Sequence, residues 1–390
     1  MNTSFLNYTI FRAMAYLQNR TINRLNLHYG ISSLAMSGGG VFYAVFLLRA
    51  GVPVHFVFGA LALLVGFRFL IRPSVLIFGK RWGLKPLVIF GTVACAFQYP
   101  LLGEVQEVDR TLLALCIVSA IGDTFYWTCY HAYYASLGDV EQRGSQISVR
   151  EALAAIIGII GPLLGGWALM SLGPRIAFGA VALVQLLAAL PLLATPNVRV
   201  APESQGLLRA AVSGMVVFAC DGWIAAGYVF VWQIVLFVSL GQSFSAFGGA
   251  MALAAFAGAI GGLVLGKLID AGHGKRAVLL AMATLAGSAL FRAASSGTVT
   301  LAVIANASGA FVTCLYVPAT MTVVYNQAKH SPCPLRFHIA TEGAWDIGCG
   351  SACLAAALLS LMGIPLWVGI ILSLAGIAPL YVALRKHYEQ

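Results

Sequence analysis

Charge is what this sequence has least of. Asp and Glu number 13 and Lys and Arg 23 in 390 residues, so charged side chains make up 9% of the chain. A soluble domain has about a quarter of its residues charged. A surface this poor in charge cannot be covered by water-compatible groups, which excludes one large soluble domain. Catalytic signatures are missing too. There is no phosphate loop of the Walker type, no His-Glu-x-x-His helix and no Gly-x-Ser-x-Gly elbow. The sequence therefore predicts no enzyme, no ATP-driven engine, no metal site and no cofactor. None of the eight cysteines forms a Cys-x-x-Cys pair, and almost all lie in apolar stretches, where they read as small buried side chains.

What is abundant is hydrophobic sequence, at 60% of residues, with a mean hydropathy of +0.89. Runs of about 20 apolar residues cross a bilayer at 1.5 Å rise each. Twelve such runs are read at 28–49, 53–71, 86–103, 111–137, 150–171, 175–194, 209–238, 244–266, 277–295, 298–325, 339–362 and 364–384. The fold class expected is an all-α polytopic membrane protein. An even number of spans puts both termini on one side. Of the 23 Lys and Arg, 18 fall on that side, so both termini are expected in the cytoplasm, with the chain in a cell's inner membrane. The net charge of +10 reads as topology, with no patch for nucleic acid. The bilayer itself is the expected partner, and a monomer the expected state.

The polar stretch ATPNVRVAPESQG (Ala194–Gly206) divides six spans from six. This gives a cytoplasmic N-terminal segment at 1–27, read as a short interfacial helix. A six-helix half follows at 28–194, a cytoplasmic linker at 195–208, a second half at 209–384 and a tail at 385–390. The halves echo each other. FYWTC (Phe125–Cys129) of the fourth span parallels FVTC (Phe311–Cys314) of the tenth, and Glu151 and Glu342 fall at corresponding places in the fifth and eleventh. Two repeats related by an axis along the membrane normal are a transporter architecture.

Two motifs sharpen this reading. GPLLGG (Gly161–Gly166) interrupts the fifth span just after a charged rim that includes Glu141, Arg143, Arg150 and Glu151. GKLIDAGHGKR (Gly266–Arg276) follows the eighth. The first is similar to the Gly-Pro-x-x-Gly-Gly motif of proton-coupled antiporters in the major facilitator superfamily. The second resembles that family's loop motif, with Gly266, Asp270, Gly274, Lys275 and Arg276 in place and one extra residue. The first-half copy departs further, because Lys80 stands where an Asp is expected. Over most of its length the chain thus resembles the superfamily. The resemblance implies two six-helix halves, alternating access and a central cavity lined by the first, fourth, seventh and tenth spans.

Physical reasons accompany the motifs. Gly158, Gly161, Gly165 and Gly166 offer a face without side chains, which lets a neighbouring helix approach closely. Pro162 removes one backbone hydrogen bond and kinks the span. Such a face suits helices that rock against each other, although tight static packing would use it too.

Ionisable residues inside spans are functional candidates because each costs at least a few kcal/mol there. Asp123 sits about 18 Å into the fourth span, near the midplane, and Asp221 comparably deep in the seventh. Either can carry a coupling proton, since apolar surroundings disfavour the charged form of a carboxylate. A structural hydrogen bond is the alternative for each. His131 is a candidate relay or a structural histidine. Arg68 and Arg72, spaced i, i+4, share a face near the cytoplasmic end of the second span, and Glu342 and Asp346 share one in the eleventh. The resemblance brings these spans together, so the four charges, with Arg150 and Glu151, form the expected cytoplasmic gate. Snorkelling to the headgroups is the other reading of Arg68. Tyr43, Tyr126, Trp127, Tyr130, Trp223, Trp232 and Tyr316 are the aromatic candidates for the cavity wall. The expected function is proton-coupled efflux of a small organic molecule. The alternatives are import of an organic anion drawn by Arg68 and Arg72, or a non-transporting sensor or lipid-handling protein on the same fold.

Overall fold

The computed structural model describes residues 19–137, 143–200, 207–269, 274–331 and 333–387. Every regular element among them is helical. Twelve helices are long and apolar enough to span a membrane: α1 (Arg20–Arg49), α2 (Val54–Trp82), α3 (Leu84–Glu104), α4 (Arg110–Tyr134), α5 (Ala152–Ser171), α6 (Pro174–Leu193), α7 (Ala211–Ser239), α8 (Phe244–Gly262), α9 (Arg276–Ala294), α10 (Val299–Ala328), α11 (Leu335–Leu361) and α12 (Leu366–His387). The protein is a multi-pass membrane protein. Helices are what a bilayer allows, because every backbone polar group must be satisfied within the span.

Several helices outrun their apolar windows. α2 continues eleven residues past Ile71, through Arg72, Lys80 and Arg81, to stop at Gly83. α1 begins at Arg20, where the Asn19 side chain accepts from the Ile22 amide at 3.0 Å. Apolar composition marks where lipid touches a helix, whereas hydrogen bonding and caps decide where it ends. Gly83 has φ of +82°, a left-handed conformation that favours glycine. Asn197 packs against it, donating to the Trp82 carbonyl at 2.8 Å and accepting from the Lys85 amide at 3.2 Å. Lys85 also donates to the carbonyls of Leu193 and Thr195 at 2.7 and 2.8 Å. The turn between α2 and α3 is thereby tied to the chain that leaves α6. Residues 1–18, most of the expected interfacial segment, lie outside the described residues.

Two long contacts join the first six spans to the last six: α2 runs along α11, and α5 along α8. The two ends of the bundle differ. At the end opposite the chain termini, α1 meets α7 and α8 through a cluster of phenylalanine rings. Phe42 and Phe247 have centroids 5.6 Å apart, Phe46 and Phe244 6.1 Å, and Phe237 and Phe244 5.4 Å. Edge-to-face and offset pairs at such distances are favourable beyond their buried area. At the terminal end, Val75 of α2 packs in one cluster with Leu335 of α11.

α7 is irregular. Residues Ala226–Val231 form a π-helical segment. The Arg292 guanidinium of α9 donates to the Tyr228 carbonyl there at 2.6 Å and lies 3.9 Å from the Tyr228 ring centroid. Nothing in the sequence pattern marked this distortion.

Candidate functional site

The length of α2 changes where its arginines stand. The sequence placed Arg68 and Arg72 near the cytoplasmic end of the second span. The helix runs from Val54 to Trp82, so Arg68 lies at its middle, about 21 Å from either end. That depth is tolerated because the charges are compensated. Arg68 Nε lies 3.1 Å from Asp346 Oδ1, Nη2 3.7 Å from Glu342 Oε2, and Nη1 3.8 Å from Asp123 Oδ2. Arg72 donates from Nε to Asp346 Oδ2 at 3.0 Å, pairs with the same oxygen through Nη2, and donates from Nη1 to Thr128 Oγ1 at 2.8 Å. Its Nη1 also lies 3.7 Å from Glu342. Arg68 does not snorkel. It is shared between α4 of the first six spans and α11 of the last six.

Three carboxylates therefore surround two guanidiniums. Asp346 is fully buried and Glu342 is 13% exposed, whereas Asp123 is 26% exposed. The other contact of Asp123 is the Cys95 thiol, with Sγ 3.8 Å from Oδ1. A fourth carboxylate is linked through Trp345. Its ring faces the Arg68 guanidinium at 5.3 Å, and its Nε1 donates to Asp221 Oδ2 at 2.9 Å. Asp221 is thus held by α11 and does not line the cavity.

A cavity of about 530 Å³ opens beside this cluster, in the usual range for small organic ligands. Arg68 and Asp123 are the charged residues of its wall, among the described residues. Of the seven aromatic candidates, Tyr43, Tyr126 and Trp127 line it. The other four do not. Tyr130 is buried against His28 and Tyr29. Trp223 donates to the Leu372 carbonyl of α12 at 2.8 Å, and Trp232 to Asn306 Oδ1 of α10 at 2.9 Å. Tyr316 packs against the apolar core. Membership of a span does not say which way a side chain faces, and the aromatics of α7 and α10 turn into their own six-helix group. The wall is built almost wholly from α1 to α6. The last six spans add Phe230, Gln233 and Trp345.

Sequence reasoning missed the amide and hydroxyl groups of the wall, among them Ser32, Gln98, Gln185 and Gln233. A usable sign was present, since each is an uncharged polar residue deep in an apolar run. Gln185 accepts from Ser32 at 3.2 Å and donates to the Thr92 carbonyl at 3.5 Å.

The remaining candidates separate. His131 stacks between Trp127 and His338, with centroids at 5.6 and 6.2 Å. It stands eight residues from Asp123, about 12 Å along the helix, so the two do not touch. Arg150 lies over the rings of Tyr29 and Tyr134 at 4.9 and 5.1 Å, both in the first six spans. The side chains of Glu151 and Lys275, residues 141–142 and Asp270 lie outside the described residues. Gly266 and Gly274 fall in the helices that flank the loop, and Arg276 is exposed.

The glycines of α5 serve two neighbours. A Cβ on Gly161 would overlap Ser37 of α1, and one on Gly165 the Gly38 carbonyl and Phe42. A Cβ on Gly166 would meet the Phe244 backbone of α8, and one on Gly158 would stand 3.5 Å from Ala255. Pro162 is approached by Gly248 of α8, where a Cβ would overlap its carbonyl. α5 is pressed between α1 of its own group and α8 of the other.

The chain belongs to the Major Facilitator Superfamily, whose pattern matches residues 5–332. No curated protein sequence is a match to it. Solved structures share the fold. The human organic anion transporter MFSD10 (TETRAN) superposes with a TM-score of 0.66 at 15% identity, covering 94% of this chain and 98% of that one. The POT family transporter PepTSo gives 0.70 at 11% identity, covering 95% and 99%. The nucleoside transporter NupG, solved as a point mutant, gives 0.66 at 12%, covering 94% and 100%. At these identities the likeness is one of fold, and the cargo of each belongs to that protein.

Proposed function

We propose that this protein is a secondary active transporter of the cytoplasmic membrane, with both termini in the cytoplasm. It works by alternating access and exports a small organic molecule in exchange for protons. One observation carries the reading: Arg68 bridges a carboxylate at the cavity, Asp123, and the carboxylates of α11, Glu342 and Asp346. Protonation of Asp123 removes one of the anions that share Arg68. The guanidinium is then committed to α11, and the contact between α2 and α11 tightens. Loss of the proton returns Asp123 as a competitor and loosens that contact. The occupancy of one carboxylate thus biases the contact between the two groups of spans, which is the two-state element that coupling needs. Cys95, Glu342, Asp346, Arg72 and Trp345 complete the surroundings.

Import of an organic anion has less support. Both guanidiniums that would draw such an anion already face carboxylates. The test uses vesicles of reconstituted protein loaded with a fluorescent pH indicator. Organic cations, anions and neutral solutes are added in turn. Solute-dependent proton flux that vanishes in Asp123→Asn supports the reading. Solute movement with no accompanying proton movement contradicts it.

A further inference from the structure

We propose that the cavity takes an organic monocation, with its charge against the Asp123 carboxylate and its apolar body among the aromatic rings of α1 and α4. This assignment rests on the transport reading above and names the substrate class of the same site.

Asp123, Glu342, Asp346 and Asp221 are four carboxylates, and Arg68 and Arg72 are the guanidiniums beside them. Around Arg68 and Arg72 three carboxylates meet two guanidiniums, so this cluster is one positive charge short when all are ionised. Buried charge has to be matched by an opposite charge or neutralised, so the site has room for a cation or protons and none for an anion.

The distribution of partners then points to one carboxylate. Asp346 receives both arginines, one of them through two nitrogens. Asp221 receives the Trp345 N–H. Asp123 has Arg68 and Cys95, each at 3.8 Å, which is beyond a good hydrogen bond to nitrogen. It is also the most exposed of the three around Arg68, and the one that lines the cavity. Its charge is thus the least compensated and the most accessible. Arg68 shows the cavity little of its own charge, being paired with Asp346 and flanked by the Trp345 ring.

The walls agree with this assignment. Tyr29, Tyr43, Tyr99, Tyr126 and Trp127 line the same space. Aromatic faces attract cations, and more strongly in dry surroundings. The Gln98, Gln185 and Gln233 amides and the Ser32 hydroxyl add neutral hydrogen-bonding groups without adding charge.

The experiment uses full-length protein in detergent at pH 8. Three small probes are compared: benzyltrimethylammonium, its uncharged carbon isostere neopentylbenzene, and the anion phenylacetate. Binding is read by calorimetry and by the fluorescence of Trp127 and Trp345. The cation is expected to bind saturably and at least ten-fold more tightly than either other probe. Asp123→Asn is expected to lose at least ten-fold in that affinity, while Asp123→Glu retains most of it. The charge series on unaltered protein tests the assignment even if a variant does not fold. Three results each overturn it: a preference for phenylacetate or neopentylbenzene, cation binding indifferent to Asp123→Asn, or no saturable binding of the cation. Each leaves the transport reading standing, because that reading is tested separately, by solute-dependent proton flux across vesicles. Saturable cation binding with no movement across vesicles supports this assignment and contradicts the transport reading.

Discussion

Arg68 and Asp346 meet at 3.1 Å across the seam between α2 and α11, so a charge of the first six spans is neutralised by one of the last six. Arg72 meets the same carboxylate from one turn further along. Any motion that separates α2 from α11 at this depth must expose or re-pair four charges, Arg68 and Arg72 on one side and Glu342 and Asp346 on the other. When the seam opens, entering water solvates them separately. Breaking such a buried pair from one side leaves an uncompensated charge, at a cost of about 3–5 kcal/mol.

Arg72→Ala is therefore expected to be the most damaging of the single charge deletions. It leaves Asp346 fully buried with one of its two partners. Thermal unfolding in detergent should show a midpoint lowered by several degrees and reduced expression. An unfolding midpoint equal to the wild type would mean that the pair contributes nothing net.

Arg68→Ala is expected to act on conformation more than on stability, because Arg72 still holds Asp346. It severs the link between Asp123 and α11. Solute-driven proton flux should fall at least ten-fold while solute binding persists. The double exchange Arg68→Glu with Glu342→Arg is expected to restore part of the flux. If the exchange is no better than either single change, the two side chains are not working partners.

Gly165→Leu is expected to hold α5 away from α1, since even a Cβ there overlaps the Gly38 carbonyl and Phe42. Protein should insert, and transport should fall sharply. Gly179→Ala on α6 is the control, because a Cβ there meets nothing within 4 Å. Normal transport by well-expressed Gly165→Leu would show that α5 and α1 can part at no functional cost.

Much of the fold was legible in the sequence because lipid imposes a simple rule. Apolar runs of sufficient length must be helices, and twelve were counted where twelve are found among the described residues. Their extents were not, because charged ends such as Arg72–Arg81 stay helical once paired or capped. Arg68, near the end of the apolar run, thus stands at the middle of the helix. Within the site, charge inside a span was a reliable sign, and Asp123, Arg68, Arg72, Glu342 and Asp346 do come together. Facing was not legible. Trp223 and Trp232 sit on a span expected to line the cavity, yet α7 carries a π segment and turns both rings towards α12 and α10. Polar residues without charge, such as Gln185, were passed over because a neutral amide costs less to bury and so stands out less.

The central claim is that the charge on Asp123 sets the relation between the two groups of spans. It is tested most directly without a substrate. Spin labels on Trp82→Cys and Arg276→Cys, both exposed at the terminal end of the bundle, report the separation of the first and last six spans. None of the eight native cysteines is exposed, which keeps the background low. Pulsed electron paramagnetic resonance gives the distance distribution at pH 5 and pH 8. Protonation of Asp123 tightens the hold of Arg68 on α11, so the account predicts a shorter separation at pH 5 and a longer one at pH 8. With Asp123→Asn, the short distribution should appear at both pH values. A pH-dependent shift that survives in Asp123→Asn, or no shift in the wild type, would contradict it.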